Sequence, residues 1–101
     1  MERDITSYRF LKKIYSLPFV QAVYLFGSRA QGTNRERSDI DLAIDCTGAT
    51  KAQWYNILEI IEENDDTLLS IDCIRLDTVQ DEKFLQMINN NKILLYQKGA
   101  P

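Results

Sequence analysis

The start of the chain carries apolar residues at helical spacing, namely Ile5, Tyr8, Leu11, Ile14 and Tyr15. This pattern predicts an amphipathic helix that ends near Leu17 and Pro18, because proline has no N–H to donate inside a helix. Two short apolar runs follow at residues 19–26 and 38–45, and both contain β-branched or aromatic residues. They are predicted to be the first two strands, joined by a polar loop.

A second helix, a third strand and a last helix are predicted farther along the chain. Thr50 and Gln53 have the spacing of a capping box. The apolar stripe of the helix that they begin consists of Trp54, Ile57, Leu58 and Ile61. Residues 68–76 are predicted to be the third strand. Thr78 and Asp81 are spaced to cap the last helix, whose apolar residues are Phe84, Leu85 and Ile88.

The predicted order is helix, strand, strand, helix, strand, helix, and residues 93–96 add a short extended piece. The loop between the first two strands is too short for a parallel crossover, so the sheet is expected to be mixed. The predicted fold class is therefore α/β (α+β), a small mixed three-strand sheet with helices packed on it. A length of 101 residues predicts a single domain, residues 1–101.

Composition excludes several kinds of protein. The net charge is −3 and long basic runs are absent, which argues against an extended nucleic-acid surface. No apolar run resembles a signal peptide or a membrane span, so we expect a cytoplasmic protein. The chain has no histidine, so imidazole catalysis is excluded. Cys46 and Cys73 are expected to be buried, reduced thiols, because two cysteines cannot complete a four-ligand zinc site.

One stretch, LFGSRAQGTNRERSDIDLAID, contains the residues that suit chemistry on a phosphorylated group. A strand that turns at Gly27 and Ser28 into the start of a helix presents free backbone N–H groups to an anion. Asp39 and Asp41 are two positions apart on the predicted second strand, so their carboxylates point to the same face. Carboxylate and phosphate oxygens are ligands that Mg²⁺ prefers. The stretch therefore predicts metal-dependent nucleotide chemistry.

Other polar residues near this stretch have more than one interpretation. Gly32 is expected to form a turn with positive φ, and Arg29 either clamps a phosphate or lies on the surface. Asp72 interrupts an apolar strand, which makes it the candidate third carboxylate, a metal ligand and general base toward an incoming hydroxyl. The alternative is that Asp72 is a polar residue on an edge strand. Asp77 is the lesser candidate, and Asp45 is interpreted as a strand-end residue too distant to share the metals.

The segments GSRAQG, residues 27–32, and SDIDL, residues 38–42, resemble the pattern of the minimal nucleotidyltransferase family in the DNA polymerase β-like superfamily. The resemblance covers most of the chain and implies a polymerase β palm-like core. It also implies transfer of a nucleoside monophosphate, usually AMP from ATP, to a hydroxyl with loss of pyrophosphate. The implied nucleotide-binding residues are Gly27, Ser28, Arg29 and Gly32, and the implied catalytic residues and ligands of two Mg²⁺ ions are Asp39, Asp41 and Asp72.

Members of this family are antitoxins whose partner is a HEPN-domain toxin with RNase activity. The resemblance thus implies a protein adenylyltransferase that modifies a tyrosine of such a partner. The alternative is a weak or inactive nucleotide-binding antitoxin that neutralises its toxin by complex formation. The small size favours this alternative, as does Gln31, which occupies a position that is commonly basic in the family. Transfer to an aminoglycoside is disfavoured, because antibiotic-modifying relatives carry a further helical domain, and transfer to RNA is disfavoured by the acidic charge.

Overall fold

The computed structural model describes residues 5–99, so the ends of the predicted domain, residues 1–4 and 100–101, lie outside the described part. The helices are α1 (Arg9–Tyr15), α2 (Gly27–Gln31), α3 (Lys51–Glu62) and α4 (Glu82–Asn91). The strands are β1 (Ala22–Phe26), β2 (Ile40–Asp45), β3 (Ile71–Arg75) and β4 (Ile93–Gln97). Short 3₁₀ turns lie at Ile5–Ser7 and Leu76–Thr78. None of the helices in this part of the chain is long and apolar enough to cross a membrane.

The sheet has four strands in the order β3-β2-β1-β4. β1 is antiparallel to β2 and β4, whereas β2 is parallel to β3, so the predicted mixed sheet is confirmed. The predicted number of strands, three, is wrong. The terminal extended piece forms β4, because β1 would otherwise leave the N–H and C=O groups along its outer edge without strand partners.

The two faces of the sheet are covered to different extents. We call the face under α1 and α3 the core face. Its buried side chains include Val23, Leu25, Ile40, Leu42, Ile44, Ile57 and, from α1, Phe10, Leu11 and Ile14. The opposite face, which we call the acid face, has a small buried cluster of Phe26, Ala43 and Ile88 beneath α4. Because side chains alternate along a strand, Asp41 shares the acid face with Ala43.

The helix boundaries follow local signals that the sequence contains. Thr50 and Gln53 form the predicted capping box, with Gln53 N donating to Thr50 Oγ1 at 3.1 Å and Thr50 N donating to Gln53 Oε1 at 2.9 Å. Of the two predicted caps of α4, Asp81 is the one that accepts from backbone N–H groups, whereas Thr78 lies in the preceding 3₁₀ turn. The first helix is shorter than predicted and begins at Arg9, because residues 5–7 form a separate turn.

The two cysteines are free thiols, as predicted. Cys46 is buried and Cys73 is partly buried. Burial raises the pKa of Cys46 to about 11 and the pKa of Cys73 to about 12. Both thiols are therefore protonated at neutral pH, and the Cys46 thiol donates to Asp77 Oδ1 at 3.8 Å.

Candidate active site

Gly27 brings the end of β1 into contact with β2. It adopts a positive φ of 73° and leads directly into α2. A Cβ atom placed on Gly27 would overlap with Oδ2 of Asp41, so a side chain at this position is incompatible with the observed approach of that carboxylate. α2 ends at Gly32, whose left-handed φ of 75° confirms the predicted turn. The Gly27-Ser28 turn and the Asp41 carboxylate thus form one continuous site.

Three predicted aspartates lie together at the edge of the acid face. β2 begins at Ile40, so Asp39 lies one residue before the strand rather than within it. Asp39 is exposed. Asp41 is half-buried and is opposite Asp72 in the parallel register of β2 and β3. Because register partners in parallel strands share a face, the carboxyl groups of Asp41 and Asp72 lie side by side. The fold therefore places Asp72 beside the Asp39-Ile40-Asp41 segment.

The electrostatics of this cluster are those of like charges held together. The pKa of Asp41 is raised, first by burial and then by the neighbouring side chains of Asp72 and Asp39. Neighbouring negative charges favour the protonated form of Asp41. A bound cation would have the opposite effect, because it stabilises carboxylates.

The donor chemistry of the cluster fits Mg²⁺, for which carboxylate oxygens are suitable ligands. Within residues 5–99, however, no group of three or more His, Cys, Asp or Glu side chains is already arranged to hold a metal ion. Asp41 and Asp72 lie side by side on β2 and β3, and Asp39 lies in the exposed segment before β2. The residue types therefore suit the ion, and the enclosing geometry is not preformed.

The setting of Asp72 differs from the one expected. The sequence pattern predicts a carboxylate within a core-forming strand, which needs a partner to offset its burial. β3 is instead an edge strand, and Asp72 is exposed. The burial premise is thus wrong, and the edge-strand alternative describes the position correctly. The reason to retain Asp72 in the site is its contact with Asp41.

The remaining charged candidates have structural contacts. Arg29 donates from Nε and Nη2 to Ser38 O at 3.1 and 2.9 Å, and from Nη2 to Glu36 O at 3.2 Å. It therefore connects α2 to the loop that precedes Asp39. Asp45 accepts from Thr47 N at 3.0 Å and Thr47 Oγ1 at 2.6 Å, which agrees with its interpretation as a strand-end residue.

Two clefts lie beside β3 and the segment before β2, and the sequence pattern predicts neither. The larger one, of about 590 Å³, lies between α3 and β3 and includes Asp72 in its wall. The smaller one, of about 390 Å³, is lined by Arg37 and Asp39. Leu68 and Leu69 line both clefts. The sequence signal for these clefts is the leucine pair, which is predicted to belong to the third strand and lies instead in the loop before β3.

Comparison with known proteins identifies the family of this fold. Residues 10–100 match the family described as Polymerase beta, Nucleotidyltransferase. No curated protein matches the chain. Among solved structures, similar folds occur in a toxin-antitoxin crystallised with AMP-PNP, in a mutant of the toxin-antitoxin MntA-HpeT, and in the toxin-antitoxin MntA-HepT.

These structural likenesses are close in fold and distant in sequence. The AMP-PNP structure has a TM-score of 0.65 and 23% identity, and the match covers 90% of this chain and 70% of that chain. The MntA-HpeT mutant has a TM-score of 0.64 and 21% identity, and the match covers 90% of this chain and 70% of that chain. MntA-HepT has a TM-score of 0.56 and 18% identity, and the match covers 89% of this chain and 66% of that chain. At such identities the likeness concerns the fold alone. Because the family match spans nearly the whole sequence, the chain belongs to the polymerase β nucleotidyltransferase family.

Proposed function

We propose that the chain is a metal-dependent protein adenylyltransferase that transfers AMP from ATP to a hydroxyl of a partner protein. The observation that carries this proposal is the position of Asp41, between the Gly27-Ser28 turn on one side and Asp72 on the other. A site for phosphates, a set of metal-binding oxygens and a proton acceptor are the three parts that such a transfer requires.

The nucleotide phosphates bind at the Gly27-Ser28 turn. The absence of a side chain at Gly27 leaves room for the Asp41 carboxylate, and the Ser28 hydroxyl can donate to a phosphate oxygen. Arg29 and Gly32 belong to the proposed nucleotide site. Through its bonds to Ser38 O and Glu36 O, Arg29 holds the loop before Asp39, and its guanidinium can also attract phosphate.

Asp39, Asp41 and Asp72 would hold Mg²⁺, which offsets the negative charge of the triphosphate and orients it for in-line displacement. Asp72 accepts the proton of the acceptor hydroxyl while the oxygen of that hydroxyl forms a bond to the α-phosphorus. The bond between that phosphorus and the bridging oxygen of the β-phosphate breaks, and pyrophosphate leaves with the electron pair. The proton on Asp72 then passes to solvent.

We infer that the acceptor is a tyrosine of a HEPN-domain toxin and that the chain acts as its antitoxin in the cytoplasm. Support comes from the similar fold of the MntA-HepT toxin-antitoxin structures and from the nucleotide analogue AMP-PNP in one similar structure. The acidic composition also favours a protein acceptor over a nucleic acid.

Intact-mass spectrometry tests this proposal directly. The chain and a genomically neighbouring HEPN protein are incubated with ATP and Mg²⁺, in parallel with EDTA and with an Asp39→Ala, Asp41→Ala double variant. The expected result is an added AMP on the HEPN protein with Mg²⁺ alone. Added AMP that persists in the double variant or in EDTA would contradict the assignment of the aspartates.

A binding-only antitoxin is the second candidate. It is favoured by the lack of a preformed metal-binding group within residues 5–99. The two candidates differ in the toxin assay. Neutralisation of RNase activity by the double variant at full strength, without any AMP transfer by the natural chain, would favour binding alone.

A further inference from the structure

Asp39 is exposed, but its backbone is held on both sides. Before it, the Ser38 carbonyl oxygen accepts from Arg29 Nε at 3.1 Å and from Arg29 Nη2 at 2.9 Å. After it, Ile40 N donates to Ser70 O at 2.9 Å. Because a peptide unit is planar, a bond that fixes the Ser38 oxygen also fixes the direction in which the Asp39 backbone begins. The start of β2 is therefore anchored on either side of Asp39.

These two anchors lead to the other parts of the site. Ser70 lies two residues before Asp72, and its bond to Ile40 continues the pairing of β2 with β3. Arg29 lies in α2, which begins at the Gly27 turn. The guanidinium of Arg29 therefore connects the proposed phosphate-binding turn directly to the segment that carries Asp39.

The segment that Arg29 holds is a compact turn, residues 35–38. Ser38 N donates to Arg35 O at 3.0 Å, and Arg35 N donates to Ser38 Oγ at 2.8 Å. Arg29 Nη2 also donates to Glu36 O at 3.2 Å, so one guanidinium bonds to two carbonyl groups of this turn. A planar guanidinium can serve two carbonyl groups at once, whereas a lysine ammonium is a point charge on a flexible stem. Lysine at position 29 would therefore keep the charge and lose this attachment.

Attachment of the Asp39 segment matters because the carboxylates have to converge on an ion. Within residues 5–99 they are not yet arranged as a metal-binding group. Binding of an ion must order the Asp39 segment, and this ordering costs more free energy when the segment starts from a wider range of positions. Residues that orient a metal ligand through hydrogen bonds commonly change metal affinity or activity by about 10- to 100-fold when they are replaced.

We propose that Arg29 is a positioning residue for Asp39 and that it sets the affinity of the site for a divalent cation. The proposed function leaves Arg29 two roles, attraction of phosphate and retention of the loop, and this assignment selects the second. It acts through the Ser38–Asp39 peptide rather than by contact with the nucleotide. The assignment rests on the proposed function for the reaction that it serves, whereas its effect on the cation can be measured without any transfer.

The test variants are Arg29→Lys, which keeps the charge, and Arg29→Gln, which removes it. The matched controls are Arg35→Lys and Arg35→Gln, because Arg35 is exposed and its bonds within the turn come from its backbone. The full chain is titrated with Mn²⁺ without nucleotide, and binding is followed by paramagnetic broadening of the amide signals of Asp39 and Asp41. AMP transfer is measured against the concentrations of Mg²⁺ and ATP.

Both Arg29 variants are expected to need about tenfold more Mn²⁺ for half-broadening and about tenfold more Mg²⁺ for half-maximal transfer. The KM for ATP at saturating Mg²⁺ should change less than about twofold, because the loop and not the phosphate contact is lost. Neither Arg35 variant should change these quantities by more than about twofold. Hydrogen exchange should become faster at the Ser38 amide and stay unchanged at the amides within β2, which shows that the fold is intact.

A double-mutant cycle tests whether Arg29 acts through Asp39. Asp39→Asn should itself weaken Mn²⁺ binding, because it removes one carboxylate from the site. Adding Arg29→Lys to Asp39→Asn should then cause no further loss, since the ligand that Arg29 positions is already absent. A further tenfold loss in the double variant would overturn the positioning role.

The remaining outcomes separate this proposal from the proposed function. The expected Mn²⁺ shifts without AMP transfer by the natural chain would support the positioning role and contradict the transfer. Transfer with an unchanged cation requirement in both Arg29 variants would support the proposed function and overturn the positioning role. Weaker ATP binding in EDTA for Arg29→Gln but not for Arg29→Lys, with unchanged Mn²⁺ binding, would make Arg29 a phosphate ligand instead. Absence of Mn²⁺ broadening near Asp39 and Asp41 in the natural chain would also overturn the proposal.

Discussion

The two ends of β3 each have an aspartate nearby, and the surroundings of these two residues are opposite. After the last residue of the strand, Asp77 accepts from Arg75 Nε at 3.1 Å and from Cys46 N at 3.1 Å. Burial acts to raise the pKa of Asp77, but these hydrogen bonds outweigh it and the pKa lies below its usual range. Near the start of the strand, Asp72 lies against Asp41. The pKa of Asp41 is raised by burial and by neighbouring carboxylates.

This contrast distinguishes a carboxylate that stabilises the fold from a cluster whose charge the described residues leave uncompensated. Asp77 connects the end of β2 to Arg75, and Arg75 in turn donates to Ala49 O at 3.0 Å. Asp41 has two carboxylates as its main charged neighbours. An acid whose pKa is raised by burial and by like charges is more common where charge is used in catalysis than where it only stabilises structure.

The largest expected effect is that of Asp41→Asn on activity. Loss of a metal-binding oxygen should reduce AMP transfer about a thousandfold, which corresponds to roughly 4 kcal/mol. The free energy of unfolding without Mg²⁺ should stay equal or rise, because asparagine has a similar shape and removes one negative charge from the cluster. Transfer assays and urea titrations measure the two quantities. Retained transfer would show that Asp41 is not part of the reaction.

Gly27→Ala should affect both stability and activity. The substitution places a Cβ atom against Asp41 Oδ2 at a residue with φ of 73°, so a loss of roughly 2–3 kcal/mol of stability is expected. Gly48→Ala is the matched control, because Gly48 has φ of 85° and open space around the added atom. It should lose only about 1–2 kcal/mol from backbone strain and keep its activity when corrected for the folded fraction. Equal losses in the two variants would contradict the importance of the contact with Asp41.

Asp77→Ala should lower the free energy of unfolding and leave AMP transfer unchanged, which is the reverse of the result for Asp41→Asn. It leaves the N–H of Cys46 and the guanidinium of Arg75 without this acceptor, and a loss of about 1–3 kcal/mol in the free energy of unfolding is expected. AMP transfer per folded molecule should be unchanged. Asp45→Ala, which removes only the local bonds to Thr47, is the comparison and should lose less. A large loss of specific activity in Asp77→Ala would contradict the conclusion that Asp77 stabilises the fold without taking part in the reaction.

The smallest expected effect is a difference in pH dependence. Because the pKa of Asp41 is raised, its contribution to stability is full below the unfolded pKa, about 3.9, and is lost as pH rises through the raised value. Because the pKa of Asp77 is lowered, its contribution is full above about 3.9 and is lost as pH falls through the lowered value. Relative to the natural chain, Asp41→Asn should therefore gain stability with rising pH, and Asp77→Asn should lose it. Urea unfolding between about pH 3 and pH 7 without Mg²⁺ measures both slopes, and slopes of the same sign would refute the contrast.

Local features of the site could be predicted from the sequence. The Gly27-Ser28 turn, the positive φ of Gly32 and the capping box at Thr50 are confirmed, because each depends on residues within a few positions of one another. Steric freedom of glycine, hydrogen bonding between a side chain and the nearby backbone, and the alternation of strands and helices are encoded at short range.

Long-range pairing could not be predicted in the same way. The contact of Asp72 with Asp41 depends on the register of β3 against β2, and the fourth strand depends on the pairing of β4 with β1. The exposure of Asp72 and the α3–β3 cleft follow from β3 lying at the sheet edge. Register and edge position are set by how α1 and α3 pack on the whole core face, so segments far apart in the chain decide them together. The sequence by itself therefore determined the residue types of the site and the order of its elements, and the tertiary structure decided which carboxylates meet.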